Sequence, residues 1–172
     1  KKDYKIVPEN TVTKKVEIEI KNKLRVNSTF TFNFGSSIVD YNESNPLPFF
    51  NYTFSTGDYI DSLKISGFVK DAYEIDSLDF VSIHLYPIDS VFNDSTIYNQ
   101  KPFYVGNTLD SVYFELNNLA PGKYEFIAIK DESKNYYFDQ SFDKIGFFEN
   151  PIEIPKDTFF LPVLFKEITN FQ

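Results

Sequence analysis

Four oxygen-bearing side chains between residues 131 and 139 are spaced in a way that could bind a calcium ion. Asp131, Ser133, Asn135 and Asp139 occupy the first, third, fifth and ninth positions of a helix–loop–helix calcium loop, and the Tyr137 carbonyl stands at the seventh. Hard oxygen ligands at alternate positions are what calcium prefers. The segment is therefore a candidate metal site.

Two residues of the same segment depart from the calcium pattern. The sixth position, where glycine allows a sharp bend, is Tyr136, and the twelfth, where a glutamate supplies two oxygens, is Phe142. The alternative is a polar loop in which Asp131 and Asn135 accept hydrogen bonds from backbone N–H groups while the neighbouring aromatic residues pack on the protein. We expect this metal-free loop at the end of a hairpin, and no bound cofactor.

A single histidine and no cysteine restrict the catalytic chemistry of the chain. His84 lies in FVSIHLYP, where alternation predicts that Val81, Ile83 and Leu85 face the core and His84 faces solvent. One histidine without cysteine excludes the usual zinc sites, and no G-x-S-x-G nucleophile motif occurs. A pair of catalytic carboxylates stays open, because 25 acidic residues offer many candidates. We predict no catalytic residue and no enzymatic activity.

Composition limits the partners of the chain. A formal net charge of -8 argues against nucleic-acid binding, which depends on Lys and Arg neutralising phosphates. No apolar run approaches the roughly 20 residues that span a bilayer, and no signal segment opens the chain, so the sequence as given is expected to be soluble. Because the chain has no methionine, we expect it to begin at a processing site or within a longer protein.

The charge is unevenly distributed along the chain, which predicts two domains. Residues 1–57 contain eight Lys or Arg and six acidic residues, whereas residues 58–172 contain nine and nineteen. This shift in composition places a boundary near Gly57 and Asp58.

Hydrophobic alternation predicts β-strands along almost the whole chain. VEIEI at 16–20 and FTFNF at 30–34 alternate strictly, and the polar segment between them is interpreted as a hairpin end. No window shows the periodicity of an amphipathic helix. The other predicted strands cover residues 50–54, 63–70, 80–86, 111–116, 123–130 and 159–165. The predicted fold class is all-β, with tandem antiparallel β-sandwiches.

The Pro121-Gly122 pair predicts a type II turn, because proline fixes a negative φ and glycine permits a positive one. Such a turn would join SVYFEL and KYEFIAIK as neighbouring antiparallel strands. Four apolar residues of these strands are predicted to belong to the core: Leu116, Leu119, Tyr124 and Phe126.

Two stretches of the chain resemble known bacterial domains. NSTFTFNFGSSIVDYNESNPLPFFNYTFSTGD at 27–58 resembles the closing half of an Ig-like domain of Bacteroidota-type surface and periplasmic proteins. SLKISGFVKDA, FVSIHLYP and VYFELNNLAPGKYEFIAIKDE resemble the transthyretin-like or Cna-B-like sandwich, also called carboxypeptidase-regulatory-like, with its strand, L-x-P-G-x-Y turn and strand. In this order the two stretches are similar to a family of Ig-like-domain lipoproteins of the outer membrane.

This resemblance implies a domain organisation and a location. Residues 1–57 would be the C-terminal part of an Ig-like domain, and residues 58–172 a transthyretin-like or Cna-B-like sandwich with a C-terminal extension. Further Ig-like strands and a lipidated cysteine would precede Lys1, so that the chain would reach a membrane only through an upstream lipid anchor. The expected location is extracytoplasmic: associated with the outer membrane, periplasmic or on the cell surface.

The dipeptide Asp-Ser followed by Leu, Val or Thr occurs five times, more often than the Asp and Ser content predicts. Asp-Ser is common in turns, which is the simpler explanation. The tripeptide also resembles the O-glycosylation acceptor motif that Bacteroidota-type bacteria use on extracytoplasmic proteins. The candidate acceptors are Ser62, Ser77, Ser90, Ser95 and Ser111.

Three classes of function are compatible with the sequence. The leading one is a non-catalytic structural or interaction module of the bacterial cell envelope, part of an outer-membrane lipoprotein that docks to a membrane, secretion or uptake assembly. The second is a glycan- or peptide-binding module that uses Tyr136 and Tyr137 as stacking platforms, and the third is an accessory domain of a larger enzyme. A fold resemblance alone is weak evidence for function, so all three stay open.

Overall fold

The structure is a computed structural model that describes residues 4–7, 13–47, 50–73, 80–89, 92–108 and 111–166. These residues are nearly all β, as predicted, and form several antiparallel sheets in a sandwich-like fold. The chain divides into two compact units, Lys1–Asp61 and Ser62–Gln172, so the division follows Asp61 rather than Gly57. No helix in the described ranges is long and apolar enough to cross a membrane.

Among its described residues, the first unit contains two antiparallel ribbons of two strands each. β1 (Tyr4–Val7) pairs with β2 (Glu17–Ile20), and β3 (Thr29–Asn33) pairs with β4 (Asn51–Ser55). The expectation that residues 21–28 close a hairpin between β2 and β3 is therefore wrong. The physical reason is that similar side chains pair across each ribbon. Ile6 of β1 lies opposite Ile18 of β2, and the aromatic rings of β3 lie opposite those of β4.

The second unit contains ten strands and one helical turn within the described residues. In chain order they are β5 (Leu63–Phe68), β6 (Lys70–Asp71), β7 (Ser82–Pro87), α1 (Thr96–Asn99), β8 (Tyr104–Asn107), β9 (Tyr113–Leu119), β10 (Gly122–Lys130), β11 (Lys144–Phe147), β12 (Ile152–Ile154), β13 (Phe159–Phe160) and β14 (Val163–Leu164). The main sheet has the order β11-β10-β7-β8, and β12 also pairs with β10. A second sheet has the order β13-β5-β9, and β14 pairs with β6.

The core of the second unit lies between the main sheet and the β13-β5-β9 sheet. Val81, Ile83 and Leu85 of the β7 region are fully buried there, as predicted. The four core residues predicted around Pro121-Gly122 are also buried. The opposite face of the main sheet forms part of a second apolar cluster. It contains Tyr86, Ile127, Ile129 and Ile145 of the sheet together with Phe138, and Phe92, Ile97 and Phe165 pack against these residues.

The predicted hairpin between β9 and β10 is wrong, because the two strands belong to different sheets. β9 pairs with β5, and β10 pairs with β7, so the Pro121-Gly122 segment connects the two layers of the sandwich. The residue with a left-handed backbone is Asn118, at a φ of 60°, and not Gly122. Because the two strands lie in facing sheets, the rings of Phe114 and Phe126 pack against each other across the core at 5.8 Å. In neighbouring strands of one sheet the two rings would not be enclosed between two layers.

Candidate functional site

Three polar side chains of β7 form a buried cluster on the covered second face of the main sheet. Ser82 and His84 are 1% and 0% exposed, and Tyr86 is 3% exposed. Ser82 Oγ lies 2.8 Å from His84 Nε2, and Tyr86 Oη lies 3.5 Å from His84 Nδ1. The prediction that His84 faces solvent is wrong: alternation assigned the correct face, but that face is covered, and the ring of Tyr136 lies 6.1 Å from the ring of His84.

The burial of this cluster sets its protonation. Burial lowers the pKa of His84 from 6.5 to about 4, against a smaller opposing effect of Asp131. His84 is therefore neutral at pH 7, with one ring nitrogen that donates and one that accepts. Burial, assisted by Tyr137, raises the pKa of Tyr86, which keeps that hydroxyl protonated.

The pair of Ser82 and His84 has one feature of an activated nucleophile, since a neutral imidazole lies within hydrogen-bond distance of a hydroxyl. Two further features differ from a catalytic triad. The second ring nitrogen faces the hydroxyl of Tyr86 rather than a carboxylate, and Ser82 is enclosed by protein. We interpret the cluster as a satisfied buried network within β7, from which the hydroxyl of Tyr86 also reaches the Gln100 carbonyl at 3.5 Å.

The predicted calcium segment forms a loop after β10 in which the polar side chains bind the backbone. Asp131 is 4% exposed, and its Oδ2 accepts a hydrogen bond of 2.7 Å from the N–H of Tyr136. Its Oδ1 accepts a bond of 3.1 Å from the hydroxyl of Ser133. Asn135 Oδ1 accepts a bond of 2.7 Å from the N–H of Tyr137. The two bonds from the N–H groups of Tyr136 and Tyr137 are the backbone caps that the alternative to a calcium site requires.

Asp143, which the sequence analysis did not select, occupies a central position in the same loop. It is 1% exposed, and its two oxygens accept hydrogen bonds from the N–H groups of Glu132 and Asp139 at 3.0 and 2.8 Å. Burial, together with the nearby charges of Asp131 and Asp139, raises the pKa of Asp143, although the two hydrogen bonds act to lower it. Asp139 in turn accepts a bond of 2.9 Å from the N–H of Ser141. The sequence signal for Asp143 was its position, one residue after the twelfth position of the calcium pattern.

The four candidate ligands Asp131, Ser133, Asn135 and Asp139 are thus engaged within the loop. In the part of the chain that the structure describes, no three His, Cys, Asp or Glu side chains are grouped so that they could hold a metal ion. Any calcium at this loop would have to compete with the N–H group of Tyr136 for Asp131 Oδ2.

We predict that calcium binds the loop no more tightly than about 0.1 mM, the weak extracellular range. The measurement is calorimetric titration, with thermal melts in calcium and in chelator. A dissociation constant below about 10 μM, or a melting shift of several degrees that the Asp131→Asn variant abolishes, would establish a calcium site. The matched control is Asp94→Asn, because Asp94 is an exposed carboxylate outside the loop.

Tyr136 stands above the buried cluster in an unusual backbone conformation. Its φ is 66° and that of Lys134 is 54°, a region that bulky side chains seldom adopt. The Tyr136 ring lies 6.1 Å from the ring of His84, and Lys101 Nζ lies 5.8 and 6.0 Å from the rings of Tyr136 and Tyr137. Phe80, Asp131, Lys134 and Tyr136 line a cavity of about 160 Å³.

The β3–β4 ribbon of the first unit has one aromatic and one polar face. Residues directly opposite each other in an antiparallel pair lie on the same face. The aromatic face consists of Phe30, Phe32, Phe34, Phe50, Tyr52 and Phe54. The polar face consists of Thr29, Thr31, Asn33, Asn51, Thr53 and Ser55. Sequence analysis had identified the alternation in residues 30–34 but not this continuous face across both strands.

The rings of the aromatic face contact one another in two groups, and only Phe50 and Tyr52 among them are exposed. Phe54 lies 5.6 Å from Phe30 and 6.0 Å from Phe32, and Phe34 lies 5.6 Å from Phe50. Tyr52 is 56% exposed, and none of the six rings is buried. Every buried apolar residue within the described ranges belongs to the second unit. An apolar face with two exposed and four half-buried rings, in a unit without a buried apolar residue among those described, is a candidate interaction surface.

Three of the five candidate acceptor serines lie in the described part of the chain. Ser62, Ser95 and Ser111 are all exposed, as an acceptor must be. Ser77 and Ser90 lie outside the described residues. Exposure alone does not distinguish an acceptor from a turn residue, so modification stays a prediction.

Comparisons with protein-family models, with curated proteins and with solved structures found no match to this chain.

Proposed function

We propose that this chain is a non-catalytic interaction module of the bacterial cell envelope, which docks to another envelope protein through the aromatic face of the β3–β4 ribbon. The observation that supports this most strongly is the aromatic face itself, which places six rings on one side of a ribbon of two strands. A ribbon of two strands is marginally stable in water and gains stability when another surface covers its apolar face.

The chemistry of the ribbon suits a protein partner. Phe and Tyr bury large areas at low cost in side-chain entropy, and they dominate the binding energy of many interfaces. The opposite face of the ribbon is polar but uncharged, with a hydrogen bond of 3.1 Å between the hydroxyls of Thr31 and Thr53. The ribbon therefore has one face suited to water and one suited to a partner.

We also propose an extracytoplasmic location for the chain, which two features of the sequence support. The resemblance to Ig-like-domain lipoproteins and the repeated Asp-Ser motif both favour an extracytoplasmic protein, associated with the outer membrane through an upstream lipid anchor. The proposed partners are other envelope proteins, such as components of a secretion or uptake assembly.

A glycan- or peptide-binding site at Tyr136 and Tyr137 is the second candidate. Lys101 beside both rings and the strained backbone of Tyr136 favour it. The adjoining cavity of about 160 Å³ is smaller than the ligand pockets of roughly 300 to 1,000 Å³ that bind small molecules. We therefore rank this site below the aromatic face.

We predict that Tyr52→Ser removes the native chain from a larger envelope complex, lowering the bound fraction at least about tenfold, as expected for an interface tyrosine. Native gel electrophoresis of detergent-extracted envelopes measures this fraction. Tyr73→Ser is the matched control, because Tyr73 is 70% exposed in the second unit. An unchanged complex with Tyr52→Ser, or equal loss with both variants, would contradict the proposal.

A further inference from the structure

We infer that the cavity beside Tyr136 binds a small zwitterion of the α-amino acid class, whose ammonium pairs with Asp131 and whose carboxylate pairs with Lys134. The site lies in the second unit and goes beyond the proposed function, which rests on the aromatic face of the first unit. The inference follows from the residues that line the cavity, from the charges around it and from its volume.

The cavity has walls of two kinds. Phe80 and Tyr136 line it as aromatic residues, and Asp131 and Lys134 line it as residues of opposite charge. Sites for small molecules combine apolar walls with a few polar groups that fix the orientation of the ligand. A ligand that matches these walls has one charged group of each sign and a short apolar part.

The two charges that line the cavity do not neutralise each other. Within the described residues, neither Asp131 nor Lys134 forms an ion pair. The oxygens of Asp131 each accept one hydrogen bond, from the N–H of Tyr136 and from the hydroxyl of Ser133. A carboxylate has about four acceptor positions, so about two remain for a ligand. A zwitterion between the two side chains would pair with both charges.

The charges around the cavity favour a cationic group on the ligand. The loop of residues 131–143 contains one lysine, Lys134, and four acidic residues, Asp131, Glu132, Asp139 and Asp143. Outside this loop, Lys101 Nζ lies 5.8 Å from the centroid of the Tyr136 ring. Because Lys101 already occupies a cation–π position on that ring, the ammonium of the ligand is assigned to Asp131. The exposed Lys134 then remains as the partner of the carboxylate.

The volume of the cavity restricts the size of the ligand. The volume is about 160 Å³, and at roughly 30 Å³ for each water molecule it corresponds to about five waters. A molecule of roughly five to eight non-hydrogen atoms fits such a space. Glycine, alanine and serine have this size and carry both charges at neutral pH, whereas a sugar ring is too large to be enclosed.

A titration followed by nuclear magnetic resonance tests the inference. The purified, isotope-labelled full chain is titrated at neutral pH with glycine, L-alanine and L-serine, up to about 10 mM, well above a dissociation constant of about 1 mM. Ethylamine and acetate are the matched probes, because each keeps only one of the two charged groups. We expect the backbone amide resonance of Tyr136 to shift with at least one amino acid, and ethylamine and acetate to bind at least about tenfold more weakly.

Two substitutions test the two assigned partners. Asp131→Asn should weaken binding of the amino acid at least about tenfold, because the amide can still accept the bond from the Tyr136 N–H but carries no charge. Lys134→Gln should weaken binding by a similar factor, and because Lys134 is exposed this result stands even if Asp131→Asn unfolds. The matched controls Asp94→Asn and Lys156→Gln remove exposed charges elsewhere in the second unit and should leave binding unchanged.

The opposite results would overturn the inference. No shift at Tyr136 with any of the three amino acids would mean that the cavity is not a site for this class of ligand. Ethylamine that binds as tightly as glycine, with no effect of Lys134→Gln, would identify a site for simple cations. Equal weakening by the control variants would indicate a nonspecific effect of charge. None of these results bears on the aromatic face, which Tyr52→Ser tests separately.

Discussion

Replacing Asp71 by Asn should lower the free energy of unfolding of the second unit by about 3 to 5 kcal/mol, the usual cost of removing one partner of a buried ion pair. Asp71 Oδ2 lies 2.7 Å from Lys144 Nζ, and the two side chains are 0% and 16% exposed. Asparagine keeps the shape of the side chain but not its charge, so the largely buried ammonium of Lys144 would lose this ion pair.

Urea unfolding followed by circular dichroism measures this loss. The double variant Asp71→Leu/Lys144→Met should recover much of it, because apolar residues of similar volume replace both charges. Lys64→Gln is the exposed control: Lys64 lies 3.6 Å from Glu115 with its side chain 65% exposed, and its loss should cost less than about 1 kcal/mol. An Asp71→Asn variant no less stable than Lys64→Gln would show that the pair contributes nothing.

Lowering the pH from 7 to 4 should destabilise the second unit by up to about 3 kcal/mol through His84 alone. The folded pKa of His84, about 4, lies below its ordinary value of 6.5, so the folded state binds fewer protons than the unfolded state. The contribution of His84 to stability is therefore fully present above pH 6.5 and is lost as the pH falls towards 4.

The variant His84→Gln isolates this effect, since glutamine retains a polar side chain but does not titrate. The raised pKa of Asp143 acts in the opposite direction at acid pH, but it is common to both proteins and cancels in the comparison. We expect urea unfolding between pH 7 and 4 to show a steeper loss of stability in the unsubstituted chain than in His84→Gln. Equal slopes would mean that His84 titrates normally and is not enclosed.

Alternation in the sequence predicted the strands and their faces but not what covers each face. In β7 it correctly separated Ile83 and Leu85 from His84, because the period of a strand is a local property. The face of His84 is covered by Tyr136 and by an apolar cluster that includes Phe92, Ile97 and Phe138. These residues lie in segments without strand periodicity, so their packing depends on tertiary contacts that no local pattern encodes.

Strand pairing was less predictable than the strands themselves. The Pro121-Gly122 chemistry allowed a hairpin, but burial of Phe114 against Phe126 favoured two layers. The backbone caps of Asp131 and Asn135 were predictable, because they reach only two to five residues along the chain. The bond from the Glu132 N–H to Asp143 spans eleven residues, and its formation depends on the whole loop.

In-cell photo-crosslinking would decide whether the aromatic face of the β3–β4 ribbon has a partner. A photoreactive phenylalanine analogue is placed at Tyr52 in one strain and at Tyr73 in another, both exposed positions, and adducts are identified by mass spectrometry in isolated envelopes. The proposed function predicts one discrete adduct with another envelope protein at Tyr52 and none of that mass at Tyr73. The absence of a specific adduct at Tyr52, or the same adduct at both positions, would contradict it.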